Sequence, residues 1–493
     1  MEGDEQMINY DAIEGLEDRS FWKHFADISV IPRGSGVPQN QKGISNYVFS
    51  FIKELGLEVY QDDHLNVIAK KPASEGYEDE PPVMLQAHLD MICEKELYTS
   101  HDFTRDPIRL IREGDIIMAD GTTLGADDGI GVAFIMSILQ DKTLKHPEIE
   151  AVFTTDEETD MGGAFNLDYS KLSSKLILNL DAEAIGVCGS GELEVEMTLP
   201  IKREPVRKKS ELCRIKIAGL KGGHSGMNSM DERGNAILIL ARLLLALQNK
   251  VDFRLADITG GQGMSSAFAR NSTCVISYPS NAREDVTRIL EEEFQVVKRE
   301  LERRDPGAKM DLIFEVEVYD QVIDGQTQDK LLDLLTILPD GLFSLNREFP
   351  DAMESTTNIG VIETLEEEIF VTMLIRSFLP GKKYFLLRKV VRLCELLGIE
   401  HRIGRDLPHW EYNVSERLMK ILNDVYPDTE FHASQATLEA GIFNMNIPGS
   451  TVISLGSPYY EAHSPSEYLS IAETEDYWDM LVSFLDRLKS EED

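Results

Sequence analysis

The chain has 493 residues, 42% hydrophobic and 28% charged, and its 87 acidic against 49 basic residues give a formal net charge of −38. That length exceeds one ordinary core and predicts more than one folding unit, while that charge excludes nucleic-acid and anionic-membrane partners. No run of about eighteen apolar residues offers a membrane span, and the five cysteines (Cys93, Cys188, Cys213, Cys274, Cys394) suggest neither a disulfide framework nor a thiolate zinc site.

The start, Met1-Glu2-Gly3-Asp4-Glu5-Gln6, is acidic and polar, so it lacks the basic end and apolar run of a secretory signal, and a cytoplasmic location is expected. From 83 to 180 short apolar runs at 83–86, 151–154 and 176–180 alternate with a helical stretch at 131–139. This rhythm predicts an α/β fold with a mostly parallel central sheet flanked by helices. From 188 to 405 the character changes: strands at 214–218, 312–318 and 370–375 alternate with helices at 235–247, 286–303 and 384–397. An inserted α+β lid or dimerisation-type domain, with two similar halves suspected in it, is the reading of that stretch. A helix at 414–426, a strand at 451–455 and a last helix at 473–488 restore the first pattern. The catalytic domain is therefore expected to be split, 1–187 and 406–493, around an insert at 188–405.

The residues with chemistry follow the apolar runs, where strand ends of an open α/β sheet face a shared crevice. In Gln86-Ala87-His88-Leu89-Asp90 the period of two puts His88 and Asp90 on one face. An isolated pair of this kind is more often a hydrogen-bonded strand end than a metal site. In Gly125-Ala126-Asp127-Asp128-Gly129, helix capping explains one aspartate, and a cation makes the adjacent pair tolerable. Thr154-Thr155-Asp156-Glu157-Glu158 offers a ligand and a base from one turn, Asp181 ends a further strand, and His463 stands between turn signals. Together they give two histidines and three ligand-type carboxylates, a nitrogen and oxygen set suited to zinc, with cobalt or manganese as substitutes.

This order of motifs resembles the dizinc peptidase family that includes carnosinase, tripeptidase T and succinyl-diaminopimelate desuccinylase. Within it the stretch from Gly121 to Gly131 and the ending Glu461-Ala462-His463-Ser464-Pro465 are most similar to the aminoacyl-histidine dipeptidases (peptidase D). The resemblance implies that Asp127 bridges two zinc ions, that His88 and Asp181 complete one metal, and that Glu158 and His463 complete the other. It also implies that Asp90 orients His88, that Glu157 is the general base, and that the Asp127–Asp128 peptide is cis. His224, in Lys221-Gly222-Gly223-His224-Ser225-Gly226, takes the place of the family's oxyanion-stabilising histidine. Ser265-Ser266-Ala267-Phe268-Ala269-Arg270 departs from the family's asparagine and proline pattern, so no substrate contact is carried over to it.

Further substrate contacts are expected from Asn358 and Arg376 toward a carboxylate and from Asp128 and Glu439 toward a free amine. The expected activity is metal-dependent hydrolysis of dipeptides with free termini, Xaa-His including β-Ala-His, by water between two zinc ions. Another hydrolase of the same metal chemistry (a tripeptidase, an N-acyl amino acid hydrolase or a carboxypeptidase) is the first alternative, and a non-catalytic binding protein the second. The partner is a small peptide. A homodimer is left open, as is whether His224 acts within its own chain.

Overall fold

The computed structural model describes residues 9–490 except 17, 183, 262, 315–317, 348, 351 and 428. The expectations placed on 1–6, on Glu183 and on part of the 312–318 strand lie outside the described residues. The chain divides into two compact units, Met1–Gly189 with Trp410–Asp493, and Ser190–His409.

The first unit is built on an eight-stranded mixed sheet. Its order is Glu58–Gln61, Val67–Lys71, Ile149–Thr154, Val83–His88, Leu176–Asn179, Thr451–Ser454, Gly186–Gly189 and His432–Ser434. The middle is parallel: Val83–His88 runs parallel to both Ile149–Thr154 and Leu176–Asn179, with His88 opposite Thr154. The Glu58–Gln61 edge and the Thr451–Ser454 junction with Gly186–Gly189 are antiparallel. All six residues of Val83–His88 are buried, as expected of a strand covered on both faces. Three parallel strands therefore finish side by side and deliver His88, the Asp156-Glu157-Glu158 turn and Asp181 to one end of the sheet.

Helix Ala126–Gln140 is buried almost throughout because it is apolar all round. Phe134 meets Phe21 edge-on at 4.9 Å, and Phe21 packs on Trp478 at 5.2 Å, which joins the helix to both ends of the unit's chain. A four-stranded sheet, unforeseen in the sequence, runs in the order Tyr459–Tyr460, Tyr468–Ser470, Ile116–Ala119, Leu110–Glu113. Its first two strands pair antiparallel, and their Tyr460 and Tyr468 rings stack at 4.8 Å, so His463 sits in the connecting hairpin loop.

The second unit is a nine-stranded antiparallel sheet covered by helices, with a large apolar core and a small separate cluster of Ala256, Val275 and Val322. Its topology repeats. Ser210–Ala218, Ala236–Leu247, Arg254–Gly260, Ser272–Pro279, Arg283–Leu301 and Lys309–Ile313 make a βαββαβ set. Gly191–Pro200, Gly325–Ile337, Met353–Thr364, Glu368–Ser377, Pro380–Leu397 and Glu400–Leu407 make another. In each set the strand order is fourth, first, third, second, and the two second strands join the halves through Thr259–Glu363 and Gly260–Ile362. The first set is nested between the first strand and first helix of the second. Arg203–Pro205 pairs with Gln321–Ile323 as the two-stranded stem of that nesting. No helix among the described residues is long and apolar enough to cross a membrane, and Cys188, Cys213, Cys274 and Cys394 are buried.

Candidate metal centre

His88 closes its strand fully buried, and its two ring nitrogens face two carboxylates. Nε2 lies 3.0 Å from Asp127 Oδ1, and Nδ1 lies 3.5 Å from Asp90 Oδ1. Asp90 has a further task that the sequence did not reveal. Its Oδ1 accepts the backbone N–H of Glu157 at 3.1 Å, and its Oδ2 accepts from the N–H of Glu158 at 3.3 Å and from Ser35 Oγ at 2.7 Å. The carboxylate beside the His88 ring thus also anchors the turn that carries both glutamates. That turn opens with Asp156 in the left-handed region at φ 58° and leads into the one-turn helix Glu157–Asp160.

Asp127 presents one oxygen to each histidine. Oδ1 meets His88, and Oδ2 meets His463 Nε2 at 3.1 Å, while His463 Nε2 also lies 3.0 Å from Glu158 Oε1. His463 reaches this position with φ 62° in its hairpin loop. Asp181 accepts from Tyr459 Oη at 3.0 Å. Ligand-type atoms of His88, Asp127 and Asp181 all lie within 4.8 Å of one another, and so do those of Asp127, Glu158 and His463. A third overlapping group joins His88 to Glu157 and Glu158. The Asp127–Asp128 peptide is cis.

The loop before helix Ala126–Gln140 is held from both sides. The Glu467 carboxylate accepts the N–H groups of Leu124 (2.8 Å), Gly125 (2.9 Å), Ala126 (2.7 Å) and Asp127 (3.2 Å). The buried Arg33 guanidinium donates to the carbonyls of Gly125, Leu89 (3.2 Å) and Asp90 (3.0 Å). Gly125 has φ 70°, and a Cβ there would run into Arg33. Asp128 turns inward: fully buried, it accepts the N–H of His88 at 3.3 Å and of Gly131 at 3.2 Å. Those bonds tie strand to helix, which is a scaffolding placement rather than one that reaches toward a substrate amine.

Electrostatics tests whether these residues suit a cation. Burial lifts the carboxyls of Asp128 and Glu157 well above their usual range, reinforced by neighbouring acids including Asp181. Burial and Asp127 push Asp181 up to about 7, and burial with Asp90 and Asp181 pushes Glu439 up to about 8. Burial alone would push His88 down, yet Asp127 and Asp90 hold it well above its ordinary value. Hydrogen bonds to Asp127 and Glu158 raise His463 to about 11. Raised acids beside raised imidazoles mark a pocket with excess negative charge, which divalent cations on nitrogen and oxygen donors neutralise. The donor set fits.

Glu439 lies beside this group. Its Oε2 accepts from Gln86 Nε2 at 2.7 Å and Thr154 Oγ1 at 2.6 Å, while its buried Oε1 has no hydrogen-bond partner among the described residues.

In the second unit, His224 follows two glycines with positive φ, Gly222 and Gly223. The loop is fastened to 266–268 by Ser225 N–H to Ser266 O at 2.7 Å and Phe268 N–H to Gly223 O at 2.9 Å. His224 Nδ1 accepts the N–H of Met227 at 3.1 Å, so the neutral ring carries its proton on Nε2. That Nε2 lies 3.1 Å from Arg376 Nη2, and two donors therefore converge on one spot, an arrangement that suits an anionic oxygen. Burial and Arg376 push the His224 imidazole down to about 4. Arg376 is buried against Glu192 at 2.9 Å, a partner the sequence reading missed. Asn358 is buried too, but its amide donates to Ser265 O and Ala267 O, both at 2.9 Å, which braces the segment that His224 leans on.

Known proteins match this chain along most of its length. The sequence profile of peptidase family M20/M25/M40 matches residues 84–487. The cytosol non-specific dipeptidase of Escherichia coli (strain K12) is 30% identical over 480 residues, covering 95% of this chain and 98% of that one. The crystal structure of aminoacylhistidine dipeptidase from Vibrio alginolyticus is similar with a TM-score of 0.83 and 31% identity, over 95% of this chain and 96% of that one. A tripeptidase from Staphylococcus aureus subsp. aureus mu50, with a TM-score of 0.56 and 15% identity over 96% of this chain and 98% of that one, shares the fold.

Proposed function

The chain belongs to peptidase family M20/M25/M40 and is a peptide hydrolase, and on that premise we propose a two-zinc dipeptidase that cleaves dipeptides with free termini, Xaa-His and β-Ala-His among them. One observation carries this reading: Asp127 belongs to both candidate ligand groups, facing His88 with one oxygen and His463 with the other. His88, Asp127 and Asp181 would hold one zinc, and Asp127, Glu158 and His463 the second, with cobalt or manganese as substitutes. Bound there, the metals lower the pKa of a water and polarise the scissile carbonyl.

The chain's own residues do the rest. Glu157, lifted by burial, takes the water's proton and returns it to the leaving amine. Asp90 keeps the His88 ring in place. Glu439 receives the free amine of the substrate. His224 is the proposed donor to the developing oxyanion and Arg376 the holder of the peptide carboxylate. The name of the E. coli relative supports a cytoplasmic site of action, and the net charge of −38 argues against nucleic acid as a partner.

The test is a panel of di-, tri- and N-acylated peptides on metal-stripped protein refilled with defined metals. Chelation abolishes cleavage of β-Ala-His and other Xaa-His dipeptides, and zinc, cobalt or manganese restores it. Faster turnover of tripeptides or acylated peptides would replace this reading with another hydrolase of the same family.

A further inference from the structure

We propose that Glu467 and Arg33 are positioning residues for the metal centre, clamping the 124–127 loop so that Asp127 can offer its two oxygens in two directions. The inference rests on the metal reading above. Glu467 is 2% exposed and takes four successive backbone N–H groups, ending with that of Asp127 itself. A carboxylate bonded to several N–H groups forms charge-assisted bonds, and successive N–H groups turned one way make an anion-binding concavity. Arg33, also 2% exposed, grips the same stretch from its carbonyl side at Gly125. One peptide segment is thus held by an anion on its N–H face and a cation on its C=O face.

Each clamp residue also reaches one of the two histidines. Arg33 donates to the carbonyls of Leu89 and Asp90, the residues that follow His88. Glu467 lies four residues after His463, and its contact with the loop brings that hairpin up to Asp127. The three segments bearing His88, Asp127 and His463 are therefore linked through two buried charged side chains. Simple capping of helix Ala126–Gln140 explains a carboxylate at the N–H groups. It explains neither the counter-grip by Arg33 nor the tie to the His463 hairpin.

The experiment titrates zinc into the full-length, metal-stripped protein against a competing chelator, with thermal unfolding measured in parallel. Glu467→Gln keeps the shape and removes the charge. We expect its zinc affinity to fall by about 10–100-fold, the range for groups that orient ligands. Its kcat falls while KM for the dipeptide stays close to the parent's, and excess zinc restores most of the turnover. Arg33→Lys, which keeps the charge but loses the forked donor, weakens zinc binding less.

If Glu467→Gln lowers the melting temperature yet binds zinc like the parent, the residue only caps the helix and the proposal is overturned. If neither variant folds, hydrogen exchange on the parent protein decides: zinc must slow exchange of the Leu124–Asp127 amides, and unchanged exchange overturns the clamp. A parent protein that binds no zinc overturns the proposed function together with this inference, whereas equal binding by parent and variant overturns the clamp alone.

Discussion

Asp90 accepts the backbone N–H of Glu157 at 3.1 Å while its carboxylate faces the Nδ1 of His88 at 3.5 Å. One side chain therefore fixes a proposed ligand and the proposed base. Replacing it should damage both functions at once. For Asp90→Ala the expected outcome is at least a 10–100-fold loss of zinc affinity, the usual range for a ligand-orienting carboxylate. Turnover should fall further than the metal loss explains, because the Glu157 turn loses its anchor. Activity that recovers completely at saturating zinc would show that Asp90 serves His88 alone.

Glu157→Gln separates proton transfer from metal binding. The amide keeps the size of the side chain and cannot take a proton, so zinc content by mass spectrometry should match the parent's. A general base contributes about 100- to 10,000-fold to rate, and kcat should drop by that order. A variant with full metal and undiminished kcat would remove Glu157 from the base role.

The depressed imidazole of His224 makes a statement about pH. Burial, with Arg376 beside it, lowers the folded-state pKa to about 4 against 6.5 for a free histidine. Between those values the unfolded chain binds a proton that the folded chain does not, so this contribution to stability is present above pH 6.5 and is lost as pH falls toward 4. His224→Gln should flatten the denaturant midpoint over that window. Arg376→Met should let the His224 pKa rise part of the way back, read from its imidazole NMR signals, since burial remains the larger cause. Because the proposed oxyanion contact is made in the transition state, His224→Ala should cut kcat by about 100-fold or more with little change in KM.

Two of the metal-type residues were legible because they stand one or two positions beyond apolar strand runs, where period and turn chemistry already restrict what a side chain can do. His88 and Asp181 have this character; Glu158 lies four positions past its strand, Asp127 at the start of a helix and His463 in a hairpin loop, and these three gained meaning only from the order of the whole set. Glu467 and Arg33 were not legible, since they act on backbone atoms, and an acid in a late turn or an arginine before Gly34 reads as ordinary surface. Asn358 and Asp128 carried the right chemistry for substrate contacts, yet both spend their polar atoms bracing neighbouring backbone. The small sheet that frames His463 escaped notice because its strands are two to four residues long and lie far apart in the chain. The stem Arg203–Pro205 with Gln321–Ile323 escaped for the same reason, although it shows how one βαββαβ set is nested in the other.

Glu439 gives the sharpest test of substrate class. Its Oε2 is occupied by Gln86 and Thr154, and its Oε1 is buried with no hydrogen-bond partner among the described residues. A buried acceptor left in that condition costs about 1–3 kcal/mol, so a ligand group that donates to it binds more tightly. Burial holds the Glu439 carboxyl up at about 8, so an ammonium satisfies it by drawing it into its ionised form, whereas an acylated nitrogen supplies one neutral donor and extra bulk. Hydrogen bonds to charged groups contribute about 1.5–3 kcal/mol, equivalent to roughly 10–150-fold in affinity. Glu439→Gln should therefore raise KM for β-Ala-His by that order and leave the weak cleavage of N-acetylated dipeptides nearly unchanged, narrowing the preference for a free amine. Equal losses on both substrates, with zinc content intact, would assign Glu439 to holding the Val83–His88 and Ile149–Thr154 strand ends together rather than to reading the amine.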